Sequence, residues 1–599
     1  MGRDERVMAR SVVAAACATE PSMVRGQTGH GSANATHPDP DMTGHGPARA
    51  AGIGAAMAPL FALAACGDGG GGGKATSGGG GGSSESAPTT PIVVVTPAPT
   101  TTEASRFLAQ ATMGATRTDI DTVVSRGYDG WLTDQFAMAR AISHWDWLTA
   151  NGYDAAANRN TLAGLDATLW RQMIVEPDQL RQRIGMALLD ILVVGVDGLT
   201  DQWRAFEIGA YIDVLLDNAF GNYRDLLGAI TTNYAMGSYL SFLNNRKANA
   251  STGSEPDENY ARELIQLFTL GLYQLNMDGT PKTSGGQPVE TYQQADVSGL
   301  ARVMTGLSPA STDTSTPARY RMPLVMNAAL NETGAASFLG TTVTGGGMAG
   351  IKAALDAIFA HPNVPPFISR QLIQRLVSSN PSPAYVNRVA TKFADNGQGV
   401  RGDMKAVIRA ILLDSEARNI PTGTDSGKLR EPVLRLTGWA RAFGVTSPSN
   451  AWAIGDTSNA SNRLGQAKGH SPSVFNFYRP GYSPPGTALA SQGLVAPEFQ
   501  ITNEQSVIGY VNFMYGLIAN GIGDVKADYT AILTKAADTQ ALVDEVNLVL
   551  AAGQLSSATQ AAIRSAVDSV SATATNGPIN RVGIAILLAM ASPDYLNLR

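Results

Sequence analysis

"QLRQRIGMALLDILV", Gln179 to Val193, is the stretch whose reading decides the fold class. Leu180, Ile184, Ala187, Leu188, Ile191 and Leu192 recur at the spacing of one face of an α-helix. Pro177 and Asp178 stand just ahead of it, where the fixed φ of proline and the charge of an acid both favour a helix start. Residues 203–218 repeat the theme with Tyr211, Val214 and Leu215. Short amphipathic pieces precede at 105–110 and 119–126. The same period returns over 258–270, 295–305, 351–360, 366–378, 384–395, 403–415, 428–443, 502–517, 540–552 and 557–571. Strand signals are few. The best are two extended pieces around "NMDGT" and "QPVETY", with Asp278-Gly279 as the turn. The expected fold is all-α: a large irregular multi-helix domain with a small β-hairpin insert. No internal repeat period is present, which argues against a solenoid.

Composition bounds the function. The chain has 599 residues, 44% of them hydrophobic and only 16% charged, with a net charge of −6. So mild a balance gives no reason to expect nucleic acid as a partner. Two cysteines, Cys17 and Cys66, allow neither a disulfide framework nor a cysteine zinc site. Cys66 closes "LFALAAC", after Arg49 and a short apolar run from Ala50 to Ala62. That run falls short of the about 20 apolar residues a membrane span needs. Leu63, Ala64, Ala65 and Cys66 resemble the lipobox of bacterial lipoproteins, which implies cleavage before Cys66 and a lipid on its thiol. Residues 1–66 are accordingly read as a mis-called start, to residue 41, followed by a lipoprotein signal peptide. Residues 67–103, rich in Gly, Ser, Thr and Pro, are read as a disordered linker reaching roughly 35 Å. Gly67, not an aspartate, follows Cys66, which favours the outer membrane of a Gram-negative envelope. Residues 104–599 are the helical domain.

Three stretches of that domain together resemble one bacterial family. They are "RFLAQATMGATRTDIDTVVSRGYDGWLTDQF" from Arg106, "DENYARELIQLFTLGLYQLNMDGT" with "YQQADVSGLARVMTGL" between Asp257 and Leu307, and "SPSVFNFYRPGY" from Ser471 to Tyr482. The chain is similar here to the domain of unknown function 1800 family, which is widespread among exported bacterial proteins. The resemblance implies a possible partner, a co-exported protein of the domain of unknown function 1501 family. It implies no cofactor.

Candidate chemistry centres on the 258–270 helix. Glu258 and Arg262, and Asn259 and Glu263, are neighbours one turn apart. Asp296 opens the next helix, where a carboxylate caps free N–H groups. Glu258, Asn259, Arg262, Glu263 and Asp296 are read first as a structural network, in which Glu263→Gln lowers stability. Glu263 and Asp296 are weak catalytic candidates beside it. His470, ahead of Ser471 and Ser473, is a third. "NMDGT" fails as a calcium loop because Gly285 falls where the closing glutamate belongs. No histidine has metal-site spacing, so no metal is expected. Basic residues in "RQLIQRLV" and "KLREPVLRL", among them Arg375, Lys428, Arg430 and Arg435, are read as solvated faces or carboxylate partners. Two functions stay open. One is a binding or assembly factor for a co-exported partner. The other is an envelope hydrolase with a cleft between the Asn259 helix, Asp296 and the Ser471–Tyr482 loop.

Overall fold

The computed structural model describes residues 98–420, 423 and 426–599. The signal segment, Cys66 and the linker as far as residue 97 lie outside the described residues. Among the described residues are 23 α-helices and eight short strands, the strands paired in four two-stranded antiparallel sheets. The all-α reading with small hairpins holds.

The first helix, Thr101–Ala111, begins inside the stretch read as the end of the linker. Its start is a capping box. Thr100 Oγ1 accepts the Glu103 N–H at 3.3 Å, and Glu103 Oε2 accepts the Thr100 N–H at 2.8 Å. "TTTE" carries that signal in sequence, hidden by the low complexity around it.

The Gln179–Leu189 helix lies at the centre of the domain. Helices Thr101–Ala111, Arg117–Ala137, Leu165–Val175, Arg204–Asp217 and Val364–Leu376 all pack on it. Its apolar stripe is buried as expected, with Leu180, Ile184, Ala187 and Leu188 fully covered. Its polar face is buried too, through Gln179, Gln182 and Arg183, so charged groups are carried into the core. Gly185 lets the Arg204–Asp217 helix approach closely, since a Cβ there would stand 2.4 Å from Leu216 Cδ2.

Several helices lie outside the periodic reading, among them His144–Ala150, Leu165–Val175, Tyr223–Thr231, Tyr234–Tyr239 and Gly577–Ala591, and one expected segment divides. Gly577–Ala591 was not expected, because a helix buried all round shows no one-sided period. The 428–443 segment divides. Lys428–Leu429 forms a strand paired with Asn597–Leu598, and the helix starts only at Pro432, where a proline costs no hydrogen bond. The hairpin insert also carries two turns where one was expected. The chain reverses at Asp278-Gly279, with Leu275 bridged to Pro281, and again at Gly285-Gly286, between Thr283–Ser284 and Gln287–Pro288. The other strand pairs are Leu307–Ser308 with Val325–Met326 and Ala336–Phe338 with Thr341–Val343. No described helix is long and apolar enough to cross a membrane.

Candidate functional site

The irregular segment 464–482 has no regular secondary structure, yet Lys468, His470, Ser471, Asn476 and Tyr478 are all buried. Gly469, at φ +79°, turns the chain so that Lys468 points inward and His470 lies against another loop. The Val196 N–H donates to Gly469 O at 2.8 Å and holds that loop in place. Gly195 is required at the contact, because a Cβ would meet Ser471 O at 2.5 Å.

Beneath the segment lies a buried cluster of charges. Lys468 Nζ donates to both oxygens of Asp190, each at 2.8 Å, and to Glu431 Oε2 at 3.0 Å. Lys428 Nζ donates to Glu498 Oε1 at 2.9 Å and to the Arg375 carbonyl at 2.8 Å. Arg183 donates to the same carbonyl at 2.6 Å and stands 4.0 Å from Glu431 Oε1. Arg375 lies over the Tyr478 ring at 4.7 Å and donates to the Asp190 carbonyl at 3.3 Å. Asn476 Nδ2 donates to Asp190 Oδ1, and Gln466 Nε2 donates to Glu431 Oε2 at 2.9 Å. Burial would raise the Glu431 carboxyl. Lys468, Lys428, Arg183 and Arg375 outweigh it and hold the group well below the usual carboxylate range. Burial lowers Lys428 and raises the Tyr478 phenol. Lys428, Arg430 and Arg435 are therefore interior residues, not a solvated face. Lys428 pairs with carboxylates, whereas Arg430 and Arg435 lie against the rings of Tyr595 and Tyr510.

Above the cluster, toward solvent, is His470. Its Nε2 is 2.9 Å from Asp166 Oδ1, and its Nδ1 is 4.0 Å from Asp197 and 3.9 Å from Asp456. Asp166 comes from the first turn of Leu165–Val175, and Asp197 from the loop beside Gly195. Burial lowers the imidazole, but the Asp166 hydrogen bond and the three carboxylates outweigh it, and its pKa is raised. The carboxylates lie against opposite ring nitrogens, so they surround the imidazole and do not converge on one point for a metal. The arrangement suits proton exchange, or holding a cationic histidine as a strut.

The linkage has a definite sign. A histidine with a raised folded pKa adds stability that is complete below its ordinary value of about 6.5, and that stability is lost as pH rises through the folded value. His470→Gln is expected to flatten the pH dependence of the melting temperature in that window, read by calorimetry at several pH values.

The residues expected around the Asn259 helix fall into separate places. Glu258 accepts from Arg262 at 2.9 Å, from Gln294 at 2.7 Å and from Ser298 at 2.5 Å, which joins two helices. Asp296 is engaged elsewhere, accepting the Gln293 and Leu339 N–H groups at 2.7 Å each. The Asn259 N–H donates to Asp257 at 2.8 Å. Glu263 is buried and makes no hydrogen bond with Asp296, and its Oε2 is unpartnered. Burial raises its carboxyl against the pull of Arg262. A raised carboxyl favours the fold at low pH and opposes it as pH rises through the folded value. Glu263→Gln is therefore expected to raise stability at neutral pH and to change little near pH 4, compared by urea titration at both. That is the opposite of what membership of an ion-pair network implies.

Three open concavities of about 500, 560 and 520 Å³ are lined neither by residues 259–303 nor by 464–482. The cleft expected between those segments is not among them.

Comparison with known proteins now bears on this site. A family described as "Protein of unknown function (DUF1800)" matches residues 106–597, which include every group named in the cluster. The chain belongs to the DUF1800 family. No curated protein and no solved structure matches it. In this DUF1800 chain the third signature stretch supplies part of the roof of the ion cluster, and His470 immediately precedes it. Lys468, Asp190, Glu431, Glu498 and Arg183 were not anticipated from sequence. One signal for Asp190 was present: a lone acid inside the apolar run "MALLDILVV" must be buried, and a buried acid needs a cation.

Proposed function

We propose that this chain is a cell-envelope binding or assembly factor. It is held at the outer membrane by lipid on Cys66 and engages a co-exported protein of the domain of unknown function 1501 family through the 471–482 segment. One observation carries the reading. Ser471, Asn476 and Tyr478 of that segment are turned inward against the ion cluster, while Pro472, Ser473 and Arg479 are exposed and Val474, Phe475 and Phe477 half-exposed. The Arg479 guanidinium stacks over Phe475 at 4.7 Å. A rigid surface bearing an aromatic and an arginine loses little entropy on binding, and such residues dominate binding energy in protein interfaces. The test is co-purification of that partner from detergent-solubilised envelope. Wild type is expected to retain it. Phe475→Ser combined with Arg479→Ser is expected to lose it with an unchanged melt. Retention by the double variant refutes the assignment of the surface. Cys66→Ser is expected to shift the chain to the soluble fraction, and unchanged membrane fractionation refutes the anchor.

A second reading, an envelope hydrolase, is favoured by the Asp166–His470 pair. His470→Ala separates the two readings. Loss of cellular function with partner capture intact favours chemistry at His470.

A further inference from the structure

The Lys468, Asp190 and Glu431 side chains are 3%, 0% and 0% exposed. The lysine nitrogen is 2.8 Å from both oxygens of the aspartate, and Glu431 Oε2 is 3.0 Å from the same nitrogen. A buried ion pair takes extra hydrogen bonds of this kind to satisfy its remaining protons and lone pairs. The same arrangement also meets the requirements of a condensation, which needs an amine in contact with a carboxyl, a group that accepts a proton from the amine and passes it to the leaving oxygen, a donor on the oxygen that stays, and no bulk water to reverse the reaction.

All four are present. Glu431 is placed to move the proton. Asn476 Nδ2 donates to Asp190 Oδ1, where negative charge develops during attack. The site is closed to bulk solvent, since all three side chains are almost fully buried. The cluster holds four cations, Arg183, Arg375, Lys428 and Lys468, against three carboxylates, Asp190, Glu431 and Glu498. Fixed contact of the reacting groups removes the entropic barrier that keeps lysine and aspartate apart in water.

We propose that Lys468 and Asp190 become joined by an isopeptide bond after folding, with Glu431 as the proton carrier. The Lys468 ammonium first passes one proton to the Asp190 carboxylate, giving amine and acid. Nζ then attacks Cγ and the C–N bond forms. Glu431 Oε2 takes a second proton from Nζ and delivers it to the hydroxyl oxygen. The C–O bond breaks and one water leaves. The amide keeps one hydrogen on nitrogen, Glu431 is regenerated as carboxylate, and nothing is oxidised or reduced. The product removes one buried cation and one buried anion. It also ties the end of the central helix to the 464–482 segment across 278 residues, fixing the segment covalently.

Peptide mapping of the purified full-length chain tests this. Trypsin releases Leu464–Lys468 only if the Lys468 amine is free, and it releases Ile184–Arg204 at its sequence mass only if Asp190 is free. The expected result is that both are missing, replaced by a species in which Ile184–Arg204 is joined to Leu464–Lys526 at the summed mass less one water. Asp190→Ala is expected to restore Leu464–Lys468, and Glu431→Gln to leave both peptides free. Recovery of both unmodified peptides in full yield from wild type overturns the bond. A cross-link that persists in Glu431→Gln overturns the role given to Glu431. Because mapping reads covalent structure after denaturation, poor folding of a variant leaves the wild-type result decisive.

Discussion

Glu431→Ala is expected to cost about 3–5 kcal/mol, the range for leaving buried charges without their partner. The carboxylate is fully buried. It accepts from Lys468 and Gln466 and lies 4.0 Å from both Lys428 and Arg183. Without it, cations outnumber carboxylates four to two in a site closed to bulk solvent. A domain's whole stability is about 5–15 kcal/mol, so the variant is expected to unfold at much lower urea or to be recovered in low yield. The control is Lys428→Met with Glu498→Met, which removes a cation and an anion together from the pair at 2.9 Å. Replacing both partners by apolar groups of similar size is often neutral, so the double variant is expected to lose far less than Glu431→Ala. Urea titration followed by far-ultraviolet circular dichroism measures both. A loss below about 1 kcal/mol for Glu431→Ala would show that the cluster does not hold the fold.

Gly114→Ala is the second large effect, expected at about 3 kcal/mol or more. Gly114 has φ +145°, and an added Cβ would stand 2.6 Å from Gly438 Cα and 3.0 Å from Thr437 O. Both atoms are backbone of the Pro432–Ala442 helix and cannot rotate away. The loop cannot lift off either, because Arg441 donates to Gly114 O at 2.6 Å, to Ile174 O at 2.7 Å and to Asp119 at 2.9 Å. Backbone strain and overpacking each cost about 1–3 kcal/mol, and here they act together. Gly127→Ala is the control. Its φ is +69° with nothing within 4 Å of the added Cβ, so only the strain remains, about 1 kcal/mol. Thermal melts of the two variants are expected to differ clearly. Equal shifts would mean that the Gly114–Gly438 contact is looser than described.

The candidate site was legible in part. His470 was singled out for its place ahead of Ser471 and Ser473, but its partner Asp166 lies 304 residues away and no local pattern joins them. Glu258 and Arg262 were paired from helical spacing, and that contact is local. Glu263 and Asp296 looked alike in sequence, as acids on neighbouring helices. Burial separated them, leaving one without a full set of partners and the other satisfied as a cap. Lys428 is the carboxylate partner that was one of its two readings, but Arg430 and Arg435 fit neither, because alternation with apolar residues says which face is polar, not whether that face meets water.

By itself the sequence determined what depends on near neighbours. Helical period is set by residues three and four apart, so the all-α class and most helix positions followed from Leu180, Ile184 and their counterparts. Turn chemistry placed the reversal at Asp278-Gly279, and three signature stretches carried the family. Only the tertiary structure decided which charges are interior. Lys468 meets Glu431 across 37 residues and Asp190 across 278, and each alone in the core would be too costly to keep ionised. Their meeting depends on how the central helix, the Pro432–Ala442 helix and an irregular loop pack, and that packing balances the whole chain's burial against its entropy. No window of neighbouring residues contains that balance.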